Sequence, residues 1–217
     1  MRLKAIGQLN LKQNKTNKKF VYLISPNKIK NKKFYTNLAL ILNTGKVSFF
    51  QLRLKKETNK KKLIIGKEIK KICKKYKVKF LINDDPPLAK KLNADGCHLG
   101  QKDMDLIKAR KILKNKIIGV TCHNSINLAK RAIEDGADYL AFGAFYVTKT
   151  KIVKYRASLA VLKSIKKITS LPIVAIGGIK LNNYKKLLLN KANFLAISSY
   201  IWNNKKYKPL EAIKKLK

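Results

Sequence analysis

The 217-residue chain carries 51 lysines and arginines against 11 acids, a formal net charge of +40, and 46% of its residues are apolar. That apolar share is enough for a core and too high for a disordered chain. No apolar run reaches the ~20 residues a membrane helix needs, and the basic N-terminus has no apolar stretch of the secretory kind. Cys73, Cys97 and Cys122 are odd in number and widely spaced, so they read as reduced thiols and set the expectation of a cytoplasmic protein without a membrane partner.

A chain this basic points first to nucleic acid. Yet only Arg2, Arg53, Arg110, Arg131 and Arg156 are arginines, and the lysines run along the whole chain. Base reading and bidentate phosphate grips favour Arg. Abundant Lys, Asn and Ile fit an A/T-rich coding bias, which makes nucleic acid the weaker reading. Small anions such as phosphates are still drawn in by the field.

Residues 1–19 are polar and lysine-rich and read as a basic N-terminal extension. Residues 20–24 are β-rich and stop at Ser25-Pro26. Helical spacing over 34–43 ends near Gly45, and a second strand covers 46–52. An amphipathic helix follows over 58–76, with Leu63, Ile64, Ile65, Ile69 and Ile72 expected inward. Strands at 78–82, 96–99, 116–120, 138–142, 172–176 and 194–197 then alternate with helices at 87–92, 103–113, 125–135, 159–168, 182–190 and 209–216. Eight strand–helix units over residues 20–217 predict a single-domain α/β protein, a (β/α)8 TIM barrel, ahead of an open doubly wound sheet.

In such a barrel the chemistry sits past the C-terminal ends of the strands. Past strands three and four stand Asp84 and Asp103, two of only 11 acids. Two carboxylates on one face of so positive a chain point to a divalent cation, Mg²⁺. The competing reading makes each the cap of the next helix. Gln51, Arg53 and Lys55 share a direction by period-two spacing and form an anion cradle. Thr148, Thr150 and Lys151 follow strand six and offer hydroxyls and an ammonium to an anion. Gly177-Gly178 follows strand seven, where backbone closely approaches a phosphate in many barrels, and Ser198 adds a donor after strand eight. His98 and His123 read as structural imidazoles within hydrogen-bond networks.

Taken in order, Gln51-x-Arg53-x-Lys55, Ile82-Asn83-Asp84, Ala94-Asp-Gly-Cys-His-Leu-Gly-Gln-Lys-Asp103, Gly136-Ala-Asp-Tyr, Thr148-x-Thr150-Lys151 and Val174-Ala-Ile-Gly-Gly-Ile179 resemble the thiamine-phosphate synthase family over roughly residues 20–201. The resemblance implies a (β/α)8 barrel that joins hydroxymethylpyrimidine diphosphate to a thiazole phosphate, releasing pyrophosphate. It implies Mg²⁺ on Asp84 and Asp103. It assigns Gln51, Arg53, Lys55, Asn83, Thr121 and Lys151 to the pyrimidine diphosphate, with Arg53, Lys55 and Lys151 supporting the chemistry. It assigns Thr148, Thr150, Gly177, Gly178, Ile197 and Ser198 to the thiazole phosphate. The chain departs from the family at Thr121-Cys122, where Ser-Thr is usual, at Val147, where Pro is usual, and at Ser25-Pro26, where Thr-Asp is usual.

Two other functions stay open at this level: thiazole tautomerase on the same fold, which needs no diphosphate or metal site, and a basic RNA-associated binding protein without catalysis. A homo-oligomer is also left open.

Overall fold

The computed structural model describes residues 19–148 and 155–217. The expected extension over 1–19 therefore lies, but for Lys19, outside the described residues, as do Thr150 and Lys151. Eight parallel strands close into a barrel in sequence order. They are β1 (Val21–Ile24), β2 (Val47–Leu52), β3 (Lys79–Asn83), β4 (Gly96–Leu99), β5 (Ile117–His123), β6 (Tyr139–Phe142), β7 (Ile173–Ile176) and β8 (Phe194–Ile197). The helices are α1 (Lys33–Asn43), α2 (Asn59–Lys75), α3 (Pro86–Lys91), α4 (Leu106–Leu113), α5 (Ile126–Glu134), α6 (Leu159–Lys166), α7 (Tyr184–Leu189), α8 (Ser199–Trp202) and α9 (Pro209–Lys215). The predicted closed barrel is thus observed, with the short α8 as an unforeseen addition.

Strand parity sorts the core into two shells. Tyr22, Ile24, Phe49, Leu81, Tyr139 and Val174 fill the barrel interior. Alternate residues such as Leu23, Phe50, Phe80, Cys97, Cys122 and Leu140 pack outward against the helices. The interior is plugged by rings: Tyr22 lies on Phe49 at 5.4 Å between centroids, and Phe49 meets Phe194 edge-on at 5.1 Å. A side-chain plug of this kind leaves ligands to the rim.

On α2 the buried stripe is Ile65, Ile69 and Cys73, with Leu63 and Ile72 at its margins. Ile64, expected inward, is 59% exposed. One residue is 100° of helix, so Ile64 falls outside a stripe set by Ile65 and Ile69.

The helix starts decide between the two readings of the acid pair. Asp85, not Asp84, caps α3, its Oδ1 accepting from the Leu88 amide at 2.9 Å. Asp105, not Asp103, caps α4, accepting from Ile107 and Lys108. The helix expected from 103 begins three residues later, because the Asp105 cap directly precedes the apolar Leu106. Both site acids are free of capping duty.

Candidate active site

The C-terminal rim is built strand by strand. Gln51 follows Phe49 at period two and so faces inward. It is 2% exposed, and its Nε2 has no hydrogen-bond partner among the described residues. A buried, unanswered donor at a binding rim asks for a ligand acceptor. Arg53 is braced from behind by residues that sequence reasoning missed. Its amide donates to Ser25 Oγ at 2.9 Å, and its Nη1 donates to Asn27 Oδ1 at 3.2 Å. Ser198 Oγ donates to the Ser25 carbonyl at 3.1 Å, tying β8 to the same turn. The Ser25-Pro26 departure therefore retains a structural use.

β3 and β4 place the acids. Asp84 takes the left-handed conformation at φ 62°, and its amide donates to the His98 carbonyl at 2.8 Å. A non-glycine residue there costs on the order of 1 kcal/mol, a strain typical of functional positions. Asp103 Oδ2 accepts from the Gly100 amide at 2.7 Å. Each of the two carboxyl groups acts on the ionisation of the other, and Lys55 Nζ lies 2.8 Å from Asp84 Oδ2. Burial works to raise Asp84, but the neighbouring Asp103 carboxyl and Lys55 ammonium outweigh that and hold it below the ordinary carboxylate range. Asp103 is pushed upward, by burial first and then by Asp84. Burial lowers the pKa of Arg53, opposed by the charges of Asp84 and Asp103. One carboxylate pair thus sits beside two cationic side chains.

These residues fit a hard divalent cation. The donors are oxygens, they are paired, and they already draw an ammonium to the spot. Among the described residues no group of three or more His, Cys, Asp or Glu side chains gathers at one point. A hard divalent cation can be held by one or two carboxylates, with substrate phosphates and water completing its shell. A cavity of about 300 Å³ adjoins Asp84, lined also by Lys55, Lys62, Asn83 and Asp85 among others.

β5 runs through His123, so Thr121 and Cys122 lie within the strand rather than after it. They face opposite shells. Thr121 Oγ1 meets His98 Nε2 inside the barrel at 2.8 Å, while Cys122 is buried among outer-shell residues and its thiol is pushed up to about 12. Gln101 Nε2 donates to the Thr121 carbonyl at 2.5 Å, a further contact missed from sequence. His123 packs its ring on Tyr155 at 4.7 Å. Cys122 and His123 are no catalytic pair.

On the opposite side of the mouth, Gly177 and Gly178 have φ of 104° and 62°. Cβ atoms there would lie 2.3 Å from Ala144 Cβ and from the Val147 carbonyl oxygen. The glycines seat the loop after β6, whose Phe145 and Tyr146 amides donate to Ile176 and Gly177. Thr148, in the same segment, is half-buried. The Ile197 side chain is buried in the outer shell, so only its backbone borders the site. Asn83 closes the rim on β3, in register with His98.

The chain matches the family model described as thiamine monophosphate synthase over residues 21–201. It is 87% identical over 207 residues to thiamine-phosphate synthase of Pelagibacter ubique, covering 95% of this chain and all of that relative. It is 39% identical over 184 residues to the protein of the same name from Nitrosomonas eutropha, covering 84% and 86% of the two chains. Among solved structures, thiamine phosphate pyrophosphorylase from Pyrococcus furiosus superposes with a TM-score of 0.79 at 28% identity, covering 94% and 96%.

Proposed function

The chain belongs to the thiamine monophosphate synthase family and is a transferase of thiamine biosynthesis; from that premise we propose that it joins a pyrimidinylmethyl diphosphate to a thiazole phosphate in a Mg²⁺-dependent step at the rim built from Gln51, Arg53, Lys55, Asn83, Asp84, Asp103 and Thr121. The observation that carries the proposal is the carboxylate pair Asp84–Asp103 with Lys55 against it, next to the orphaned Gln51 Nε2.

Asp84 and Asp103 would hold the ion. When bound, it supplies positive charge against the diphosphate as that group departs. Gln51 donates to the substrate through its free amide hydrogens. Arg53, fixed by Ser25 and Asn27, and Lys55, released from Asp84 when the ion enters, bind the diphosphate oxygens. The bond from the pyrimidine methylene carbon to the diphosphate oxygen breaks, and the thiazole nitrogen attacks that carbon. The electron pair leaves on pyrophosphate. No protein nucleophile is required, so the residues act by positioning and electrostatics. Thr148, the Gly177–Gly178 turn, the Ile197 backbone and Ser198 take the thiazole phosphate across the mouth. Thr150 and Lys151, outside the described residues, complete the two subsites in this reading, with Lys151 on the leaving group.

The test is pyrophosphate release measured with both substrates, with each alone, and with Mg²⁺ or EDTA. Release that needs both substrates and Mg²⁺ supports the reading. Release that persists in EDTA, or that is untouched by Asp84→Ala, sinks the metal assignment.

A further inference from the structure

Four polar side chains cross the barrel interior in one line. Tyr22 Oη lies 2.8 Å from Tyr139 Oη, which lies 2.8 Å from His98 Nδ1, and His98 Nε2 lies 2.8 Å from Thr121 Oγ1. The line begins in the plug and ends at the rim. Its geometry is tightly held. The His98 ring stacks on Tyr139 at 5.6 Å and 15°, and Tyr139 lies where a Cβ on Gly119 would come within 1.8 Å of its ring.

Counting protons gives the line a direction. Burial pushes both phenols far above their ordinary value, so both keep their hydrogens. Among the described residues, Tyr139 is the one hydrogen-bond partner of the Tyr22 hydroxyl. If Thr121 donates to His98 Nε2, then Nδ1–H donates to Tyr139, Tyr139 donates to Tyr22, and the Tyr22 proton has no acceptor. Protonating both imidazole nitrogens strands the same proton. A buried donor without an acceptor carries its whole desolvation penalty. The opposite order leaves no proton unanswered. Tyr22 donates to Tyr139, Tyr139 to Nδ1, and Nε2–H to Thr121.

We infer that Tyr22, Tyr139 and His98 form a one-way donor chain that holds His98 in its Nε2–H tautomer and so turns the Thr121 hydroxyl into a donor aimed at an oxygen of the bound diphosphate. The inference rests on the proposed substrate reading for its ligand, whereas the direction of the chain rests on the interior alone. His98, Tyr139 and Tyr22 are positioning residues, and Thr121 is the contact. With Gln51, Arg53 and Lys55, the Thr121 hydroxyl is then a fourth donor at the rim around the diphosphate. The departure from Ser to Thr is accommodated, since both carry the hydroxyl.

The direction is read by ¹⁵N NMR of the imidazole in the full chain, where His98 and His123 are the two histidines. His123→Gln assigns the signals. The expected spectrum has His98 with a protonated Nε2 and a hydrogen-bonded, unprotonated Nδ1. In Tyr139→Phe the donor to Nδ1 is gone, and the Nδ1 signal moves to that of an unprotonated nitrogen without a hydrogen bond. In steady-state kinetics Thr121→Val raises KM for the pyrimidine diphosphate roughly tenfold, the loss of one hydrogen bond to an anion. KM for the thiazole phosphate stays put, and Thr121→Ser restores the pyrimidine value. A merely structural Thr121 would lower the melting temperature in Val without that split. Nδ1-protonated His98 in the parent protein, or a pyrimidine KM unmoved by Thr121→Val, overturns the inference. A parent protein that makes no product sinks the substrate reading instead, and the NMR spectrum still decides the chain direction.

Discussion

Acidic and amide side chains do opposite work at the two rims of the barrel. At the N-terminal rim, Asp95, Asp138 and Asn193 each precede an even-numbered strand. Each accepts the backbone N–H of the strand before it: Phe80 at 2.9 Å, Ile118 at 2.7 Å and Ile173 at 2.9 Å. Each returns its own amide to the same residue's carbonyl, at 2.8 Å in all three cases. Asp95 also pairs with Lys79, and Asp138 with Arg110, whose guanidinium further donates to the Lys114, Lys116 and Gly136 carbonyls. At the C-terminal rim, Asp84 and Asp103 face each other, one of them in strained backbone. One rim engages its acids and its Asn193 within the chain, although the buried Arg110 Nε has no hydrogen-bond partner among the described residues. The other leaves them to be satisfied by a ligand, which lowers stability and makes binding favourable.

Substitutions at the two rims should therefore separate activity from stability. The largest effect is expected at the top. Asp84→Ala should lower kcat for pyrophosphate release by on the order of 10²–10³-fold, with a smaller loss of melting temperature in EDTA than the lower-rim Asp138→Ala. A variant that unfolds instead would make Asp84 a structural residue. At the bottom, Asp138→Ala leaves Arg110 and the Ile118 amide without their carboxylate. It should cost about 2–4 kcal/mol in a urea titration, while kcat/KM of the folded fraction holds. Asn193→Ala removes one neutral acceptor and should cost about 1 kcal/mol by the same titration. The smallest effect has the opposite sign. Asp103 is held above the ordinary value, so its contribution is present when it is protonated and is lost as pH rises through its folded pKa. Asp103→Asn in EDTA should raise the unfolding free energy at neutral pH, by below about 1 kcal/mol after solvent screening. It should also flatten that pH dependence and abolish stabilisation by added Mg²⁺. A loss of stability in EDTA would break the contrast between the rims.

The alternatives drawn from composition fare differently against this picture. Of the five arginines, Arg53 is half-buried at the upper rim and Arg110 is engaged by backbone carbonyls at the lower one. Neither is offered to a base edge. Among the described residues no helix is long and apolar enough to cross a membrane.

The period-two and 3.6-residue patterns by themselves determined the eight strand–helix units, because burial of one face is a local property of spacing. Parity likewise set which residues look into the barrel: Gln51 follows Phe49, and Thr121 follows Gly119. The sequence also held signals that went unread. Asp85 before Pro86-Pro87 and Asp105 before Leu106 are cap signatures, and they take capping duty away from Asp84 and Asp103. Only the tertiary structure decided the rest. It put Ser25 and Asn27 behind Arg53, set Lys55 against Asp84, and joined Tyr22 to Tyr139 across 117 positions of chain. Such contacts depend on barrel closure and strand register, which no local window of residues encodes.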